Sequence, residues 1–172
     1  MLRYLLDTNF CIRVLRDRPK GLRERFNDNA EALCISDVVL YELLYGAEKS
    51  SEPVRVRRQV EQFAARLSVL PFDDEAAAHT ADIRPDLERR GCVIGPYDLM
   101  IAVHARSRGL VVVTSNSREF MRVEGLRVED WIASWGESRI SAFGQKIYGS
   151  GQLRAQEFRS PCDRCGRQSA PA

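Results

Sequence analysis

The 172-residue sequence has no apolar run close to the roughly 18–20 residues that a transmembrane helix needs. Its N-terminus lacks the layout of a secretory signal peptide. The five cysteines are odd in number and scattered, which argues against a disulfide framework and favours a reducing compartment. Together these features predict a cytoplasmic protein.

Several well-defined catalytic and cofactor motifs are also missing. The sequence contains no Walker loop, no G-x-G-x-x-G fingerprint and no G-x-S-x-G elbow, and so lacks the signals of P-loop, dinucleotide-cofactor and serine-hydrolase chemistry. A strong charge of one sign is missing too. Residues 1–132 carry 20 basic and 21 acidic side chains, against a net charge of +2 for the whole chain. Any basic surface that binds nucleic acid must therefore be assembled by folding.

Short apolar runs alternate with longer helical patterns, which predicts βα units, an α/β fold and a mainly parallel central sheet. Four strands are expected at 4–6, 32–35, 68–70 and 110–113, with a last short strand and turn within 123–131. Pro85 lies inside the helix predicted from Glu75 towards Arg90, and we expect it to kink or split that helix.

The pattern predicts one domain over 1–131 and a disordered extension over 132–172. The extension is rich in Gly, Ser, Gln and Arg and has no sustained hydrophobic period. Its Cys162-x-x-Cys165 pair is half of a zinc pattern without a second half, so it does not predict a metal site. His79 and His104 lie on helical segments and are more typical of packed or surface residues than of ligands.

Asp7 follows the first apolar run directly. In an open α/β sheet, ligands bind beyond the carboxyl ends of the strands, so Asp7 is a candidate site residue. The alternative is that Asp7 or Thr8 simply caps the next helix.

Two further carboxylates lie in apolar helical stretches. Glu42 stands in a run with almost no polar face, where an unpaired carboxylate is costly; an ion pair with an arginine such as Arg13 or a solvent-facing position are the alternatives. Asp98 falls in the first turn of another apolar helix, where it can also complement the helix dipole. Asn116 lies in a polar cluster after the fourth strand.

The residue types in this set favour one kind of chemistry. Carboxylates held together repel one another unless cations neutralise them, and ligation by oxygen alone selects hard ions such as Mg²⁺ or Mn²⁺. A metal of this kind can activate water and stabilise charge on a phosphoryl oxygen.

At this point the sequence resembles a known family. The segments LLDTN (5–9), CISDVVLYELLYGAEKS (34–50), GPYDLMIAVHARSRGL (95–110), VTSNSREF (113–120) and GLRVEDW (125–131) are similar in order and spacing to the PIN-domain ribonuclease toxins of VapBC modules. Within that family they resemble the branch that cleaves initiator tRNA in the anticodon loop.

The resemblance implies a three-layer α/β/α fold and a Mg²⁺-dependent endoribonuclease (Mn²⁺ as a substitute). It implies Asp7 and Asp98 as metal ligands, Glu42 as a ligand directly or through water, and Asn116 in the place of a fourth acid. One bound Mg²⁺ is the expectation, because an amide replaces that acid. The family also implies a cognate VapB antitoxin, a homodimer and larger antitoxin-bound assemblies.

Two other functions remain open at this level. A PIN-like module that binds RNA or protein without cleaving it is compatible with Asn116 and with the low net charge. A phosphatase with an Asp nucleophile on the first strand is less well supported, because such enzymes usually have a second Asp two residues later, where this chain has Asn9.

Overall fold

The computed structural model describes residues 1–133, so the extension and its cysteine pair lie outside the described residues. Five parallel strands form one sheet in the order β3-β2-β1-β4-β5. The strands are β1 (Tyr4–Leu6), β2 (Leu33–Ser36), β3 (Ser68–Leu70), β4 (Val111–Val113) and β5 (Arg127–Glu129). The predicted mainly parallel sheet is confirmed.

Seven α-helices flank the sheet within the described residues and complete a three-layer α/β/α architecture. They are α1 (Thr8–Arg16), α2 (Leu22–Asp28), α3 (Asp37–Glu48), α4 (Pro53–Ala64), α5 (Asp74–Arg89), α6 (Pro96–Ser107) and α7 (Ser117–Phe120). No helix among residues 1–133 is long and apolar enough to cross a membrane. The cysteines in this range, Cys11, Cys34 and Cys92, are buried.

The sheet order explains which apolar runs are uninterrupted. Strands β1, β2 and β4 occupy the three central positions and are buried throughout, whereas the edge strands β3 and β5 are partly exposed. Central parallel strands are covered on both faces, so their sequences are continuously apolar instead of alternating.

Local capping signals set several helix starts. Ser36 accepts a hydrogen bond from the Val38 backbone N–H at 3.2 Å, and Asp73 accepts one from Ala76 at 3.1 Å. Both contacts satisfy amide groups that the first turn of a helix otherwise leaves unpaired. Pro96 occupies the first turn of α6, where its missing N–H removes no helical bond.

Trp131 anchors the end of the described domain against β1 and α1. Its ring packs edge-on against Tyr4 and Phe10 at centroid distances of 5.1 and 5.7 Å. The Arg25 guanidinium lies 4.5 Å above the same ring, and the indole N–H donates to Glu129 at 2.8 Å. The ring of the buried indole is therefore packed against other side chains, and its N–H group has a hydrogen-bond acceptor.

Pro85 does not split its helix, which corrects that part of the sequence expectation. Helix α5 runs without a break from Asp74 to Arg89. Pro85 and Ala81 are both exposed, so the proline lies on the side of the helix where a carbonyl without its helical partner can bond to water. Ile83 and Leu87 are buried on the other side, and their packing holds the helix across the proline.

Replacing Pro85 with Ala should raise the free energy of unfolding by about 1–3 kcal/mol. The substitution restores one helical hydrogen bond and removes a residue that costs about 3 kcal/mol in a helix interior, offset in part by greater freedom of the unfolded chain. Urea unfolding followed by circular dichroism measures the change. Asp82→Ala, at another exposed position of α5, is the matched control and should shift stability by less than about 0.5 kcal/mol. A destabilised Pro85→Ala protein would contradict this account of α5.

Candidate functional site: an acidic cluster at the switch point of the sheet

The site lies where the order of the sheet reverses. Strands β1 and β4 are neighbours, with Leu6 opposite Val113, and the chain leaves them towards opposite edges of the sheet. The residues that follow each strand, Asp7 and Thr114, therefore meet at one carboxyl edge. Ligands of open α/β sheets bind at such a switch point.

Asp7 is fully buried at this edge. It occupies the N-cap position of α1 without a side-chain capping hydrogen bond of standard geometry, and the nearby backbone N–H groups of Asn9 and Thr8 lower its pKa. Its Oδ2 accepts a hydrogen bond from the Thr114 hydroxyl at 2.7 Å. Its Oδ1 is buried and has no hydrogen-bond partner among the described residues. Burial raises the pKa of Asp7, and the hydrogen bond from Thr114 opposes that shift.

Glu42 reaches the same place from α3. Its Oε2 accepts a hydrogen bond from the Thr8 hydroxyl at 2.6 Å. Arg13 is exposed and forms no ion pair with Glu42. The hydroxyl of the residue that follows Asp7 thus holds Glu42 at the end of β1.

Asp98 joins these two acids from the first turn of α6. Burial raises its pKa to about 7, and the neighbouring negative charge of Asp7 acts in the same direction. Contact with Glu119 and the charge of Glu42 contribute further. Asp7, Glu42, Asp98 and Glu119 are called the acidic cluster below.

Glu119 is the member that the sequence reasoning missed. The structure brings Glu119 into hydrogen-bonding reach of Asp98. Asn116 lies at the start of α7, where its backbone N–H bonds to the Thr114 hydroxyl at 2.9 Å and its side chain bonds to no described residue. The signal that could have identified Glu119 is the polar cluster after β4. A helical turn predicted at 117–120 would have placed Glu119 near the site.

The acidic cluster has the donor set of a hard cation. All its side-chain donors are oxygens, and Asp7 Oδ1 is a buried acceptor without a partner. Within residues 1–133, no three His, Cys, Asp or Glu side chains are close enough to hold one ion by themselves. This spacing suits Mg²⁺ better than an ion that needs a complete protein cage, because Mg²⁺ takes one or two carboxylates and keeps several waters.

The two histidines lie outside the acidic cluster. His104 is fully buried, its Nδ1 lies 2.9 Å from the Ser36 hydroxyl, and its ring packs edge-on against Phe72. Burial lowers its pKa, so the neutral form is favoured. His79 contacts Arg106 at 3.1 Å. Both contacts agree with packing roles.

Comparison with known proteins gives the family. The family model described as the PIN domain matches residues 4–126. A relative from Salmonella typhimurium named tRNA(fMet)-specific endonuclease VapC is 56% identical over 131 residues, covering 76% of this chain and 99% of the relative. Ribonuclease VapC2 from Haemophilus influenzae is 46% identical over 132 residues, with 77% and 100% covered.

A solved structure gives the same result at the level of the fold. The crystal structure of DNA-bound VapBC from Salmonella typhimurium aligns with a TM-score of 0.73 at 56% identity, covering 76% of this chain and 99% of that one. The fold and the switch-point site together define a PIN domain. This chain belongs to the VapC ribonucleases of that family.

Without added metal, Asp98 should make the fold less stable as the pH rises. Its folded pKa of about 7 lies above its ordinary value, so the folded state keeps a proton that the unfolded chain releases. The unfolding free energy therefore falls between about pH 4 and pH 7 and stays low above that range. Asp98→Asn should remove this fall and raise the melting temperature at pH 8 by about 2–6 °C.

Thermal unfolding in EDTA at pH 5 and pH 8 tests this expectation. Asp82→Asn replaces an exposed carboxylate on α5 and is the control, which should keep the wild-type pH dependence. An Asp98→Asn protein with the same loss of stability from pH 5 to pH 8 as wild type would show that Asp98 is not the responsible group.

Proposed function

We propose that this protein is the toxin of a type II toxin–antitoxin module, a Mg²⁺-dependent endoribonuclease that acts in the cytoplasm. The observation that carries the proposal is the acidic cluster, in which carboxylates at the end of β1 and on α3, α6 and α7 come together. One buried Asp7 oxygen in it has no hydrogen-bond partner among the described residues. Burial of this much like charge is unfavourable on its own. A hard cation would offset that cost.

Within this proposal Asp7 and Asp98 hold Mg²⁺, and Glu42 contributes directly or through water. When bound, Mg²⁺ supplies positive charge that favours ionisation of the attacking water and stabilises the phosphoryl oxygens. Thr114 and Thr8 orient the Asp7 and Glu42 carboxylates through hydrogen bonds of 2.7 and 2.6 Å.

Residues after β4 complete the proposed site. In this proposal Glu119, which contacts Asp98, serves as a fourth acid, the place that the family resemblance assigns to Asn116. Asn116 and the exposed Arg118 are then available to position the phosphate of the substrate.

The substrate and partner follow from the relatives. A relative named as specific for tRNA(fMet) is 56% identical, which supports initiator tRNA as the substrate, and we place the cleaved bond in its anticodon loop. The related structure is a VapBC complex bound to DNA, which supports a cognate VapB antitoxin. We propose that toxin homodimers build a larger antitoxin-bound assembly.

Asp7→Asn and Asp98→Asn should each reduce RNA cleavage by at least about 100-fold, because each substitution removes a negative charge that holds the metal. EDTA should abolish cleavage because it removes the metal itself. The assay uses purified full-length protein, a tRNA pool and mapping of the cleaved bond. Mg²⁺ should also raise the melting temperature of wild type at pH 8 but not that of Asp7→Asn. Asp82→Asn should behave as wild type in both assays.

Cleavage that survives EDTA, or survives both Asn substitutions, would contradict the proposed mechanism. Normal affinity for RNA with no cleavage across Mg²⁺ and Mn²⁺ titrations would instead support a PIN-like module that binds without cutting.

Glu119→Gln should lower cleavage more than Asn116→Ala does, by about tenfold or more against less than about fivefold. Glu119 contacts a metal-binding carboxylate, and changes to such partners typically cost 10- to 100-fold, whereas the Asn116 side chain contacts no described residue. Initial rates at saturating Mg²⁺ measure both effects. The reverse order would restore Asn116 to the fourth position of the site.

A further inference from the structure

Three exposed tyrosines lie beside the acidic cluster. Tyr41, Tyr45 and Tyr97 have exposed fractions of 49, 53 and 41%. The Tyr41 ring is stacked on Tyr45 at 6.1 Å with an interplanar angle of 20°, and it contacts Tyr97 at 5.6 Å. The Tyr41 and Tyr97 hydroxyls are 3.5 Å apart. These three residues are called the tyrosine platform.

Two residues of the tyrosine platform are direct sequence neighbours of the acids. Tyr41 directly precedes Glu42 on α3, and Tyr97 directly precedes Asp98 on α6. Helices α3 and α6, which each bring an acid to the site, therefore also bring aromatic rings to its edge. Contact between Tyr41 and Tyr97 spans the gap between the helices, so the rings form one surface.

The tyrosine platform is not needed to fill the core. Its rings remain about half exposed, while the core of the domain is filled by fully buried side chains such as Phe10, Phe120 and Trp131. Exposed contiguous aromatic surface of this kind indicates a binding site. Lys49 lies 5.2 Å above the Tyr45 ring and places a positive charge at the edge of a surface that otherwise borders carboxylates.

We propose that the tyrosine platform stacks an unpaired nucleobase of the RNA next to the phosphate that is cleaved, with Lys49 facing the adjacent backbone. This inference rests on the proposed function. Unpaired bases of single-stranded RNA stack on aromatic side chains, and basic groups track the backbone beside them. A duplex cannot offer a base face in this way, so the platform selects loops and single strands over paired RNA.

The test is stacking on single bases, measured without cleavage. The probe is an RNA stem-loop with the initiator-tRNA anticodon sequence, carrying 2-aminopurine at one loop position at a time. Full-length wild type in EDTA should bind it and quench the fluorescence at one or two adjacent positions. Tyr41→Leu and Tyr97→Leu should abolish that quenching and weaken binding by about 5- to 100-fold. Tyr41→Phe and Tyr97→Phe keep the ring and should stay within about twofold of wild type.

Val54→Ala is the control for loss of an exposed apolar side chain, since Val54 is 85% exposed on α4, and it should bind as wild type. Wild type that fails to bind the probe, or binds it without quenching any position, overturns the proposal. So do Leu variants with unchanged quenching. Leu variants that lose self-association by light scattering but still quench also overturn it, because the tyrosines would then form an interface between copies of the chain.

The same proteins assayed for cleavage in Mg²⁺ separate this inference from the proposed function. Quenching at the predicted positions without cleavage supports the tyrosine platform and rejects the nuclease. Cleavage that is equal in wild type and the Leu variants, with no quenching, rejects the platform and leaves the nuclease standing.

Discussion

The structure is arranged around one unfavourable interaction, the burial of the Asp7 carboxylate at the end of the central strand. Among the described residues, one of its oxygens accepts a hydrogen bond from Thr114 at 2.7 Å and the other has no hydrogen-bond partner. Glu42 and Asp98 add negative charge to the same region, and the pKa values of both aspartates are raised. The apolar strands and helices around the site must supply the stability that this cluster removes.

In the proposed function, the same burial prepares the acidic cluster for catalysis. Carboxylates preorganised on rigid elements need little rearrangement to receive a cation, and positioned charge acts more strongly in a water-poor site than in solution. Each acid comes from the end of a strand or from a helix packed on the sheet, and Thr8 and Thr114 fix two of the carboxylates by hydrogen bonds. The same carboxylates therefore destabilise the metal-free fold and serve the proposed activity.

The tyrosine platform is positioned by two of the helices that carry the acids. Glu42 and Tyr41 are consecutive residues on α3, as Asp98 and Tyr97 are on α6. Consecutive helical residues point about 100° apart, so each pair directs the acid to the interior while the ring stays at the surface. Two helices thus provide both the charged centre and its aromatic border.

The parallel α/β fold can be predicted without a structure, because the continuous apolar runs of β1, β2 and β4 and the caps at Ser36 and Asp73 are local signals. The sequence also singled out Asp7, Glu42 and Asp98, since carboxylates in apolar stretches are conspicuous without a structure. Two features emerged from the three-dimensional structure alone: Glu119 contacts Asp98, and α5 continues through Pro85. Both features depend on packing between segments that are distant in the chain. The four-residue helix α7 brings Glu119 to Asp98, and the position of Pro85 on the exposed side of α5 lets that helix continue.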